Sequence, residues 1–151
     1  ILIRPATTAD APTLSRLITT PANRGLVLPR DTAEICGVIA SFQVAVKGRD
    51  VIGCVSVRDF GQGLFEVRSL VVAPDCMGHG LGSRLVAGAW EEAVAQGALS
   101  VFTLTYRPHV FERLGFVRVD KARFPQKVWL DCVKCAKRDH CDEIALLRAV
   151  R

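Results

Sequence analysis

The sequence predicts an α+β fold: strands and helices mixed along the chain, with one parallel strand–helix–strand unit at the centre. Two observations carry this. Apolar residues alternate with a period of two in several short runs and recur at helical spacing in others, interleaved from one end of the chain to the other. In addition, one long strand pattern at 64–72 runs through a glycine-bearing loop into an amphipathic helical pattern, then into a further strand pattern at 101–106. Two strands joined in that way form a parallel pair with a helical crossover.

The elements follow in order. Residues 2–4 read as a first strand. Leu14, Leu17 and Ile18 recur at helical spacing, so a short helix follows Asp10. Residues 21–29 hold two prolines, an asparagine and a glycine and read as a loop. Asp31 and Glu34 form a capping-box-like pair. Ile35, Val38, Ile39 and Phe42 continue at helical spacing, which predicts a second helix reaching Phe42. Residues 44–46 and 51–57 are strands joined by the polar turn 47–50. On the strand at 64–72, Glu66 and Arg68 share a face because side chains alternate. Leu81, Leu85, Ala89 and Ala93 line one face of a helix that ends at Gly97. A short helix at 108–114 is stopped by Gly115, and residues 116–119, 128–130 and 144–147 are the remaining strand candidates.

The chain has 151 residues, close to the ~150 typical of one domain. A single domain spanning 1–151 is expected, with a cysteine-containing extension from about 120. Half the residues are apolar and 23% charged, the profile of a globular protein. No apolar run reaches the ~18 residues that a spanning helix needs. No signal peptide is visible, so a cytoplasmic protein without a membrane partner is expected. The net charge of +5 suits anionic ligands. The basic residues are scattered, without runs or rows of aromatics, so nucleic acid is not expected as a partner. Homodimerisation stays open.

The segment from Val71 to Ser83 carries the most information. Glycines at 78, 80 and 82 remove side chains where the helix begins. Backbone N–H groups then converge on one spot with the positive end of the helix dipole behind them, a geometry that holds a pyrophosphate. Three glycines making only a tight turn is the other reading. The dinucleotide fingerprint is not met, because Ser83 stands where its third glycine belongs, and no lysine follows as in a P-loop.

Met77-Gly78-His79-Gly80-Leu81-Gly82 resembles the coenzyme loop of the GNAT acetyltransferases, Q/R-x-x-G-x-G/A, with Met77 in place of the usual Arg or Gln. Phe111-Glu112-Arg113-Leu114-Gly115-Phe116 is similar to the family's closing motif, commonly Y-x-x-x-G-F. The resemblance implies an α/β/α sandwich with a mixed, mostly antiparallel central sheet and helices on both faces. It also implies acetyl-coenzyme A as co-substrate. The coenzyme would be held by the strand end Leu70, Val71 and Val72 and by Met77, Gly78, His79, Gly80, Leu81, Gly82 and Ser83. Within the family, Leu28-Pro29-Arg30-Asp31, Phe65-Glu66-Val67-Arg68-Ser69-Leu70 and Leu104-Thr105-Tyr106-Arg107 look like the short N-acetylglutamate synthase-type enzymes of arginine biosynthesis. That domain is also found fused behind others in the family, which fits a chain beginning at Ile1 and not at Met.

Acetyl transfer needs a neutral amine, a polarised thioester carbonyl, aligned reactants and a protonated leaving group. Glu66 is the candidate general base; an ion pair with Arg68 is its other reading. Phe111 replaces the tyrosine that the family often uses as general acid, which leaves Tyr106, the only tyrosine, as substitute acid or as a packing residue. Backbone N–H groups near Leu70 to Val72 would stabilise negative charge on the carbonyl oxygen. Arg30, Arg68 and Arg107 are candidate carboxylate anchors for an amino-acid acceptor, most readily L-glutamate, and Cys54 matches a substrate-side position in the synthases. Cys132-x-x-Cys135 followed by Cys141 is a weak metal pattern, short of the paired dyads of zinc sites, so no metal is expected. Two other functions compete: acetylation of another amine (a polyamine, a drug or a peptide N-terminus) and non-catalytic acetyl-coenzyme A binding.

Overall fold

The computed structural model describes residues 1–23, 31–121, 124 and 143–150. Among them, seven strands form one sheet in the order β1-β2-β3-β4-β5-β7-β6. The strands are β1 (Leu2–Pro5), β2 (Phe42–Lys47), β3 (Asp50–Asp59), β4 (Leu64–Val72), β5 (Ser100–Thr105), β6 (Val117–Val119) and β7 (Ile144–Ala149). Every neighbouring pair is antiparallel except β4 and β5, which run parallel. The helices are α1 (Ala11–Asn23), α2 (Thr32–Gly37), α3 (Leu81–Ala95) and α4 (Pro108–Glu112). The α+β expectation, with its parallel unit β4–α3–β5, is met.

Alternation along the strands assigns the faces. Ala45, Val55, Val67 and Val101 join Leu81, Leu85, Ala89 and Ala93 of α3 and Phe111 of α4 in one apolar cluster. Their strand neighbours Val44 and Cys54 point the other way, into a second cluster with Leu14 and Ile18 of α1 and Ile35 of α2. Phe102 and Ala145 lie beside Phe60 and Phe124 in a third. The sheet is thus sandwiched between α3 and α4 on one face and α1 and α2 on the other. Residues four apart on α3 put Leu85, Ala89 and Ala93 at 0% exposure on a single stripe. The helix stops in a Schellman turn: Gly97 sits at φ 95°, and the Gly97 and Ala98 N–H groups donate back to Val94 and Ala93.

Three expectations are corrected. The helix predicted to run to Phe42 ends at Gly37. Asp31 caps it as expected, accepting from the Glu34 N–H at 2.8 Å. Gly37 and the β-branched Val38 and Ile39 are poor helix formers. A 3-10 turn at Ile39–Ser41 follows, and Phe42 pairs with Ser56 as the first residue of β2. Pro21 to Asn23, expected to open a loop, instead belong to α1, and the rest of that expected loop lies outside the described residues; the apolar stripe had ended at Ile18, so periodicity carried no signal for the last turn. Cys36, which its apolar and glycine neighbours in the sequence mark as a small core residue, is exposed, one residue round the helix from buried Ile35. The predicted strand at 128–130, Arg30 and Cys132, Cys135 and Cys141 lie outside the described residues.

Candidate active site

The glycine loop leads into α3 through two left-handed residues, Gly78 at φ 86° and Gly80 at φ 77°. An L side chain at either position would be strained, and a Cβ on either would project into open space. Gly80 is the N-cap of α3, and no side chain caps the helix there. The first helical bond is the Arg84 N–H to the Gly80 carbonyl, so the N–H groups of Leu81, Gly82 and Ser83 have no intrahelical acceptor. An open space, uncapped donors and the positive end of a four-turn helix are the features an anionic phosphate requires.

Beside this loop the sheet opens. The parallel ladder joins only Leu64–Glu66 to Ser100–Phe102, although β4 runs on to Val72 and β5 to Thr105. The Thr103 hydroxyl donates to the Val67 carbonyl at 2.9 Å and marks the last tie between the two strands. Beyond it β4 carries a bulge. Arg68 pairs with Ser56 and Val71 with Cys54, so Ser69 and Leu70 together oppose Val55. Ser69 takes a φ of 55° to accommodate the extra residue. Past the bulge the strand edge facing β5 has no ladder partner from it. An extended chain bearing amides can pair there as an added strand would.

A polar patch lies on the α1–α2 face of the same strands. Register places Arg58 opposite Glu66 and Ser56 opposite Arg68, and cross-strand partners share a face. Glu66 is buried, and its carboxylate lies 3.6 Å from Arg68 Nε, with both side chains about one-tenth exposed. The Ser56 hydroxyl donates to the Arg68 carbonyl at 3.5 Å. A cleft of about 520 Å³ opens over this patch, lined by Glu34, Val38 and Ser41 from the α2 side and by Ser56, Arg58, Asp59 and Arg68 from the sheet. Cys54 lies further along the face, fully buried, its thiol directed at the Ser69 carbonyl at 3.3 Å. Burial pushes that thiol up to about 12, so it stays neutral and unreactive at ordinary pH.

The remaining candidates are spread around the loop. Val71 is buried, while Leu70 and Val72 are half-buried and pack against the α3 cluster. Met77 is 37% exposed, and its sulfur lies 4.0 Å from Arg107 Nη1. Arg107 therefore stands at the glycine loop and is not among the residues lining the Arg68 cleft. His79 is exposed. Tyr106 is half-buried, one residue beyond β5. Phe111 is 1% exposed, with its ring edge-on to Phe116 at 5.4 Å, a packing residue. Among the described residues no group of three metal-ligating side chains converges.

The cleft residues Ser56 and Arg58 and the bulge at Ser69 were not singled out from the sequence. Both left a trace there. Polar side chains at 54, 56 and 58 recur with the period of one face, and the apolar series 65, 67, 70, 72 skips one residue, as a bulge demands.

A left-handed glycine loop at a helix N-terminus, beside a bulged and splayed parallel pair, offers a phosphate site next to a free strand edge, which suits a ligand with both a phosphate and an extended amide-bearing arm. The family model of the acetyltransferase (GNAT) domain matches residues 39–118. An uncharacterized N-acetyltransferase of Chlorobaculum tepidum is 37% identical over 148 residues, 98% of this chain and 96% of that protein. An amino-acid acetyltransferase of Mycobacterium tuberculosis is 28% identical over 79% of this chain and 70% of its own length. N-acetylglutamate synthase from Neisseria gonorrhoeae, complexed with coenzyme A and N-acetyl-glutamate, shares the fold at a TM-score of 0.88 and 23% identity. It matches 99% of this chain, which spans 35% of that chain. The chain belongs to the GNAT acetyltransferase family. Its activity is acetyl transfer from acetyl-coenzyme A to an amine.

Proposed function

We propose that this transferase acetylates the α-amine of an acidic amino acid, L-glutamate first among them, which would serve arginine biosynthesis. The observation that carries the reading is the Glu66–Arg68 pair, whose Arg68 lines the cleft: a carboxylate fit to take a proton beside a guanidinium fit to hold an anion. The names of the relatives, amino-acid acetyltransferase and N-acetylglutamate synthase, support the same substrate class.

The coenzyme supplies the acetyl group when bound. Leu81, Gly82 and Ser83 N–H groups, with the loop backbone at Met77, Gly78, His79 and Gly80, hold its pyrophosphate. The edge of β4 past the bulge pairs with its amide-bearing arm. Backbone N–H groups at Leu70, Val71 and Val72 stabilise negative charge on the carbonyl oxygen, where losing one donor typically costs about 2.7–4 kcal/mol. Glu66 takes the amine proton directly or through a water, and Tyr106 or solvent returns one to the departing sulfur. Arg68 holds a carboxylate at the cleft, with Cys54 shaping the wall behind it. Arg107, beside the loop, holds the α-carboxylate near the thioester; Arg30 is the other candidate anchor in the sequence.

A thiol-release screen across the twenty amino acids, spermidine and a peptide N-terminus tests this. Glutamate should turn over far better than glutamine. Ready acetylation of lysine, spermidine or the peptide with glutamate ignored sinks the reading. Coenzyme binding without turnover on any amine would instead establish a binding domain, the outcome that Phe111 in place of tyrosine would explain.

A further inference from the structure

The cleft contains a second guanidinium that this reaction scheme leaves unused. Arg58 lies on β3 directly opposite Glu66 and lines the same cleft as Arg68. Glu66 is thus flanked by Arg68 along its own strand and by Arg58 across the ladder. Arg58 is exposed, yet its guanidinium lies over the Phe60 ring, 4.6 Å from the centroid. Stacking of this kind orients the planar fork before any ligand arrives and reduces the ordering it must undergo on binding. The patch occurs where the face changes character: the α1–α2 cluster ends at Cys54, and the cluster of Phe60 and Phe102 begins on the other side. Polar groups on an otherwise apolar sheet face, left open to a cleft by the helices, need a polar ligand.

The cleft carries acidic groups as well. Asp59 Oδ1 accepts the Gly61 N–H at 2.7 Å and is engaged in its own turn. Glu34 sits on α2, across the cleft from the sheet. An acceptor that carries an ammonium as well as carboxylates suits a cleft with both signs of charge.

We propose that Arg58 is the specificity-determining residue that reads the side-chain carboxylate of a dicarboxylic acceptor, acting with Arg68 on the cleft floor. The inference rests on the acidic-acceptor reading and adds the residue that distinguishes glutamate from its amide. A guanidinium donates two parallel N–H bonds to a carboxylate, whereas a carboxamide offers one acceptor oxygen and no charge.

The test is steady-state kinetics of the wild type, Arg58→Gln and Arg58→Lys with glutamate and with glutamine. Arg58→Gln should lower the ratio of kcat/KM for glutamate over glutamine about ten- to a hundredfold, chiefly through KM for glutamate. Arg58→Lys, which keeps the charge and loses the fork, should recover part of that ratio. A purely structural role would depress both acceptors alike and leave the ratio unmoved. If the wild type selects glutamate and Arg58→Gln keeps that selectivity, the Arg58 assignment is overturned and the acidic-acceptor reading survives. If the wild type acetylates neither glutamate nor aspartate, both are overturned together.

Discussion

Replacing Gly80 with valine separates the fold of the glycine loop from the coenzyme binding proposed for it. Gly80 holds φ 77° and ψ 9° as the N-cap of α3. A non-glycine residue in that left-handed conformation costs about 1–2 kcal/mol. A Cβ on Gly80 meets no atom within 4 Å, so the β-carbon itself adds no clash to this. For a chain of this size the thermal midpoint should fall by roughly 2–8 °C, at about 2–4 °C per kcal/mol. The space the valine fills is the space in front of the uncapped N–H groups of α3. Each hydrogen bond to a charged group is worth about 1.5–3 kcal/mol, so losing two raises the coenzyme Kd on the order of 10²–10⁴-fold. Gly80→Ala should show the same backbone cost with a smaller loss of binding. Gly37→Ala is the control: its Cβ also meets open space but its φ lies outside the left-handed region, so stability should hold or rise by about 0.4–1 kcal/mol. Scanning calorimetry reads the midpoint and isothermal titration the affinity. A folded Gly80→Val protein that binds acetyl-coenzyme A with unchanged Kd would refute the cradle.

Glu66→Gln keeps shape and removes basicity, so turnover should drop on the order of 10²–10⁴-fold; an unchanged pH–rate profile would take Glu66 out of the mechanism. Asp10 accepts from Arg4 Nη1 and Nη2 at 2.8 and 3.1 Å and from the Thr7 N–H at 2.8 Å, which holds its carboxyl down at about 2. A depressed carboxyl stabilises the fold above its unfolded pKa of about 4, and the contribution is lost as pH falls from about 4 to 2. Its size is about 2 kcal/mol, lessened by salt because Arg4 is one-third exposed. Asp10→Asn should therefore lower the thermal midpoint at pH 7 and match the wild type near pH 2; equal midpoints at pH 7 would show that the pair contributes nothing.

The sequence by itself determined the parallel β4–α3–β5 unit, the stripe of Leu81, Leu85, Ala89 and Ala93, the glycine loop at the start of α3 and the shared face of Glu66 and Arg68. All of these are local: a helix, a strand and a left-handed turn each write their period or their glycines within a few residues. Only the tertiary structure decided what lies across the ladder and where an element yields to a neighbour. Phe42 fits the α2 stripe but pairs with Ser56 in β2, because a strand in register fixes a row of contacts that one more helical turn cannot supply. Arg58 reads as a surface residue until register sets it opposite Glu66. Arg107 lies two residues past the end of β5, yet it stands beside Met77, thirty residues away along the chain. The opening between β4 and β5 arises after three paired residues, where the bulge at Ser69 changes the course of β4. Distances across the sheet follow from packing that the chain acquires only when folded. For that reason the conformation of the loop was readable along the sequence, while the composition of the cleft was not.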